Sequence, residues 1–132
     1  MSLAPLLAAP PLVQIHAVAA LAALVLGAAQ FAAPKGTRPH RLLGYGWAGL
    51  MALVALSSFG ITGVGGEGRW SWIHLISFYT LGTLVLAVRQ ARRGQVRAHR
   101  ISMISLYLSA LVITGAFTLL PGRRMGAVVF GW

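Results

Sequence analysis

Four apolar runs, each about 20 residues long, constrain this chain more than any other feature. A helix needs about 20 mainly apolar residues to cross the hydrocarbon of a bilayer. The runs fall at about 12–33, 42–63, 70–90 and 101–120. Of the 132 residues 58% are hydrophobic and 9% are charged, where a soluble domain carries roughly a quarter charged. A surface so poor in charge does not stay dissolved. The expected fold class is all-α: one polytopic membrane domain over residues 1–132, a transmembrane four-helix bundle.

The net charge of +10 invites a nucleic-acid reading, but its distribution argues against one. Lys35, Arg38 and Arg41 lie between the first two runs, and Arg89, Arg92, Arg93, Arg97 and Arg100 between the last two. The other side holds only Arg69, Arg123 and Arg124. That asymmetry in short loops is the positive-inside bias, which puts both basic loops in the cytoplasm and both termini outside. Basic loops beside helix ends meet anionic lipid headgroups rather than DNA. The expected location is a membrane, crossed several times, with the basic loops cytoplasmic.

The opening "MSLAPLLAAPPLV" has no basic n-region, so a cleaved signal peptide is not expected. Pro10 and Pro11 suit the first turn of a helix, where a fixed φ and a missing N–H cost nothing. There is no cysteine. Disulfides, thiolate metal sites, iron–sulfur clusters and covalently attached haem are therefore excluded.

The two halves of the chain echo each other. "QIHAVAALAALVLGAAQ" (14–30) parallels "WIHLISFYTLGTLVLAVRQ" (72–90), and "KGTRPHR" (35–41) parallels "RGQVRAHR" (93–100). This is a duplicated helical hairpin. With an even number of spans in each half, the copies share their orientation in the membrane. His16 and His74 then fall near the outer ends of spans one and three, and His40 and His99 at the inner ends of spans two and four. From His16 to the end of its helix is roughly 25 Å at 1.5 Å per residue.

Two histidine pairs stacked across one bundle suit haem b, with one imidazole from each side of the iron. Structural zinc wants four protein ligands and catalytic zinc three, whereas each pair offers two. The one acid is Glu67, which leaves no second carboxylate for di-iron or hydrolytic work. Ala20, Ala23 and Gly27 follow His16 on one face, and Gly44 follows His40, leaving room for a flat macrocycle. Arg38, Arg41, Arg97 and Arg100 can neutralise propionates at the inner face, and Arg69, Arg123 or Arg124 at the outer. Tyr45, Trp47, Trp70, Trp72, Phe78 and Tyr107 can pack on ring edges.

Each of these features also has a plainer reading. Small residues at helical spacing are the usual contact surface of membrane helices, and Tyr45, Trp70 and Trp72 suit interfacial anchors. The arginines follow from topology alone, and Gln30 and Gln90 can satisfy their amides on a neighbouring helix. His40 and His99 can meet lipid phosphate. His16 and His74 resist the plain reading, because ionisable residues inside spans mark function. No catalytic set appears. "GVGGEGRW" (63–70) is glycine-rich but follows no strand, "GYGWAG" (44–49) lies inside a span, and Ser57 and Ser58 have no paired His and acid.

The stretches "IHAVAALAALVLGAAQF", "KGTRPHRLLGYGWAGLMALVALSSFGI", "IHLIS", "ARRGQVRAHRISM" and "FTLLPGR" together resemble a family of bacterial integral-membrane proteins known as domain of unknown function 2306. The resemblance runs from about His16 to Arg124. It implies four spans and bacterial origin, and no particular activity. Where that family's Pro-Gly-Arg stretch is often followed closely by His, this chain has Gly126. Histidine placement alone is more loosely similar to four-helix di-haem cytochromes b, which implies His16 and His74 on an outer haem and His40 and His99 on an inner one.

The sequence thus leads to a membrane electron carrier with two haems b, exchanging electrons with quinone or a respiratory partner. The competing expectation is a non-enzymatic accessory or assembly subunit of a larger respiratory or photosynthetic membrane complex.

Overall fold

The computed structural model describes residues 1–60 and 72–131, and among them there are helices and no strand. Helix α1 is Ala4–Leu7, α2 is Pro11–Ala32, α3 is Arg38–Ser58 and α4 is Trp72–Arg92. Helix α5, Val96–Leu106, runs through a wider π-helical segment, Tyr107–Ile113, into α6, Thr114–Thr118. Helix α7 is Arg124–Phe130.

Local chemistry sets the ends. Pro10 caps α2 and Pro11 opens it, as the sequence indicates. Ala33, the residue before Pro34, turns extended (ψ 155°), because the proline ring disfavours the helical region in its predecessor. Lys35 folds back so that its ammonium donates to the carbonyls of Gln30, Phe31 and Ala33, a cation on orphan carbonyls at a helix C-terminus. Gly36 then takes a left-handed φ of +77°. Helix α3 starts four residues before its apolar run because Thr37 caps it, its hydroxyl accepting from the His40 N–H at 3.3 Å. After α4 the chain turns through Gly94 (φ +72°), and the Gln95 N–H donates to the Gln90 carbonyl at 2.9 Å. Helix α5 can therefore begin at Val96, ahead of its own apolar run.

Helix α2 packs on α3, α3 on α4 and α4 on α5, and the π-helical segment returns against α2. Contacts between α3 and α4 fix their relative direction. Arg92 Nε donates to the Tyr45 hydroxyl at 3.2 Å near one end, and the Ser58 and Ser77 hydroxyls bond near the other. The two basic connections thus share one end of the molecule.

Between the ends lies an apolar core of Ala23, Trp47, Met51, Leu84, Leu106 and Leu111. Opposite faces stay open: Val18, Leu21, Val25, Val85 and Leu86 are all exposed. Two helical stretches, Pro11–Ala32 and the continuous Val96–Thr118, are long and apolar enough to cross a membrane. Helices α3 and α4 carry arginines in their terminal turns, Arg38 and Arg41 in one, Arg89 and Arg92 in the other.

The terminal helices were not evident in the sequence. Helices α1 and α7 pack together, with the Ser2 N–H donating to the Val128 carbonyl at 2.9 Å. Gln14 Nε2 ties α1 to α2 by donating to the Leu7 carbonyl at 3.1 Å, and it also donates to the Ala9 carbonyl at 2.8 Å.

Candidate functional site: two histidine pairs at opposite ends

The four histidines divide between the two ends as the duplication implies. At the end away from the basic loops, His16 on α2 reaches Ser57 on α3, Nδ1 to Oγ 2.8 Å. The Ser57 hydroxyl donates to the Val54 carbonyl at 3.0 Å. With that proton committed, Ser57 accepts and the His16 Nδ1–H donates. His74 is buried, and its ring centroid lies 6.1 Å from that of Phe59. Both imidazoles therefore lean on the C-terminal end of α3, His16 on Ser57 in its last turn and His74 on Phe59 at its cap. Ser58, Ser77 and Thr80 are buried around them, a polar layer in an otherwise apolar chain.

At the basic end, His99 Nδ1 lies 2.8 Å from the Ala87 carbonyl. A carbonyl only accepts, so this nitrogen carries the proton. Ser102 donates to Gln90 Oε1 at 2.8 Å, and Gln30 Nε2 donates to the His40 carbonyl at 2.9 Å. His40 Nδ1 is buried without a hydrogen-bond partner. Burial lowers the pKa of His40, and the charges of Lys35 and His99 lower it further. That coupling places His40 and His99 within electrostatic reach of each other. It also favours the neutral imidazole, the form that ligates metals.

Arg41 and Arg100 are exposed at this same end, as are Arg38 and Arg97. At the other end Arg124 lies 3.5 Å from the Pro5 carbonyl. Glu67, Arg69, Trp70, the glycine-rich loop and the side chain of Trp72 fall outside the described residues.

The small-residue stripe of α2 is not an open slot. A Cβ on Gly27 would stand 2.5 Å from the Tyr107 ring and 2.9 Å from Trp47 Nε1. The Trp47 indole N–H donates to the Ala23 carbonyl at 3.0 Å and the Tyr107 hydroxyl to the Leu24 carbonyl at 2.8 Å. These two rings fill the space that the sequence suggested for a macrocycle. Gly44 similarly faces Gln30 Nε2, 3.6 Å from where its Cβ would be. This middle layer therefore leaves no room beside Gly27 for a planar ligand. Tyr45 is exposed and pairs with Arg92, as an interfacial residue does.

Ser57 does meet a histidine. Its hydroxyl proton points to a backbone carbonyl and not to the imidazole, so the pair is no activated nucleophile. Sequence alone missed the acceptors Ser57 and Ala87, because pairing across helices depends on how each helix is rotated. Among the described residues no three of His, Cys, Asp and Glu gather as a metal centre.

Residues 13–128 match the family model for predicted membrane proteins, DUF2306. The chain belongs to the DUF2306 family. It is a membrane protein, and its outward-facing Val and Leu side chains find their solvent in lipid. The DUF2306 match covers all four histidines, both hairpins and most of α7. No curated protein and no solved structure matches the chain.

Proposed function

We propose that this protein is a membrane-embedded electron carrier holding two haems b, one at each end of a four-span bundle with both termini outside. The observation that supports it most is the hydrogen bonding of the imidazoles. His99 gives its Nδ1–H to a backbone carbonyl and His16 gives its own to a hydroxyl. Metal-ligating histidines do the same with the nitrogen that does not ligate, which fixes the tautomer and raises the basicity of Nε2. What supports an iron porphyrin is the chemistry of the donors, imidazoles with no competing thiolate or carboxylate among the described residues.

His16 and His74 would hold one haem, and His40 and His99 the other, with Arg41 and Arg100 beside the inner propionates. The haem iron would supply one-electron redox chemistry when bound. The chain supplies ligation, spacing and a dry environment. Trp47, Met51 and Leu106 keep water out of the layer between the two ends, which favours electron over proton movement there. Quinone in the bilayer, or a respiratory or photosynthetic complex, is the partner class that suits such a carrier.

The decisive experiment is an optical spectrum of the purified, dithionite-reduced protein, expressed with adequate haem supply. A Soret and an α band of low-spin haem b are expected, and their absence overturns the reading. The same hydrogen bonds also serve a second reading, in which His16–Ser57 and His99–Ala87 simply fasten helices in an accessory or assembly subunit. Co-purification with a membrane complex in a haem-free form would favour that.

A further inference from the structure

The two halves of the chain are duplicates in sequence but not in their polar contacts, and the difference falls on the inner pair. In the second half, His99 Nδ1 is satisfied by the Ala87 carbonyl, and Gln90 Oε1 by the Ser102 hydroxyl. In the first half, the corresponding His40 Nδ1 and Gln30 Oε1 are both buried and both lack a hydrogen-bond partner. The sequence gives a reason. Counting from the matched histidines, the residue in the place of Ser102 is Leu43, which has no hydroxyl. The stretch from Gln30 to His40 is also one residue longer than that from Gln90 to His99. It includes Pro39 and the left-handed Gly36.

We infer that the inner histidines are unequal: His99 is the anchoring imidazole and His40 the displaceable one. This rests on the reading of the His40–His99 pair as a haem site and adds a division of labour within it. An imidazole held by a backbone carbonyl keeps its tautomer and ring orientation. Loss of such a partner costs roughly 10- to 100-fold in metal affinity. His99 has that partner. His40 sits on the first turn of α3, where no hydrogen bond to its ring fixes its orientation. A small neutral ligand, such as imidazole or carbon monoxide, would therefore take the His40 side of the iron.

The test compares His40→Ala with His99→Ala in detergent-purified protein, scored by haem content and spin state. His40→Ala should keep the inner haem in a high-spin form that binds carbon monoxide when reduced and returns to low spin with added imidazole. His99→Ala should lose at least 10-fold in inner-haem affinity. Equal losses, or the reverse order, overturn the inference while leaving the haem reading intact. A wild-type protein without haem overturns both. A second arm needs no haem: nitrogen-15 spectra of the unliganded protein should show His99 in a single Nδ1–H tautomer and His40 in a mixture. Both rings locked in the same tautomer contradict the proposed inequality.

Discussion

Gly27 carries more of the packing than its size suggests. The Tyr107 ring above it cannot easily give way, since its hydroxyl is held by the Leu24 carbonyl and its edge packs on Phe31 at 5.0 Å between centroids. Gly27→Ala should therefore destabilise by about 1–3 kcal/mol, as overpacking does, despite the helix propensity it gains. Gly49→Ala meets nothing within 4 Å and should be neutral or stabilising by up to about 1 kcal/mol. Unfolding in mixed detergent micelles measures both, and equal effects would contradict the packing described. His16 and His74 could be picked out of the sequence as ionisable groups inside apolar runs. Their neighbours could not. Ser57 looks like any serine until α2 and α3 are rotated against each other, and the Ala87 carbonyl has no sequence signature at all.

The helices themselves were largely legible, because a run of about 20 apolar residues leaves few alternatives to a helix, and two of the stretches are long and apolar enough to span. Their starts were less so. Helices α3 and α5 extend back through basic residues, since capping and turn geometry, not hydropathy, decide where a helix begins. Thr37→Ala should cost about 1 kcal/mol through loss of the hydroxyl that accepts from His40 N–H. The Thr37→Ser variant should lose little, and thermal melts in detergent compare the two. The π-helical segment Tyr107–Ile113 was invisible, as its widened turns are specified by packing against α2 and by the Thr114 hydroxyl bonding to the Ser109 carbonyl. Such segments interrupt helices often at functional positions. Here the segment places Tyr107 over Gly27. Helices α1 and α7 were also missed, being too short to form without packing on their neighbours.

For the molecule as a whole, the charge asymmetry and the shared end of the two basic loops make one claim about orientation. Reporter fusions at residues 36 and 94 should be active only when the reporter functions in the cytoplasm. Activity on the outer side would reverse the topology. The duplication explains why the histidines come in pairs, and it also means that the pairing is not independent proof of a ligand. Cofactor stoichiometry supplies that proof. Haem per chain, measured as the pyridine haemochrome, should be two in the wild-type protein. It should fall to one in His16→Ala, in His74→Ala and in the double variant alike if both imidazoles serve the same iron, as proposed. A wild-type protein with no haem, or variants that keep the full complement, would contradict the account.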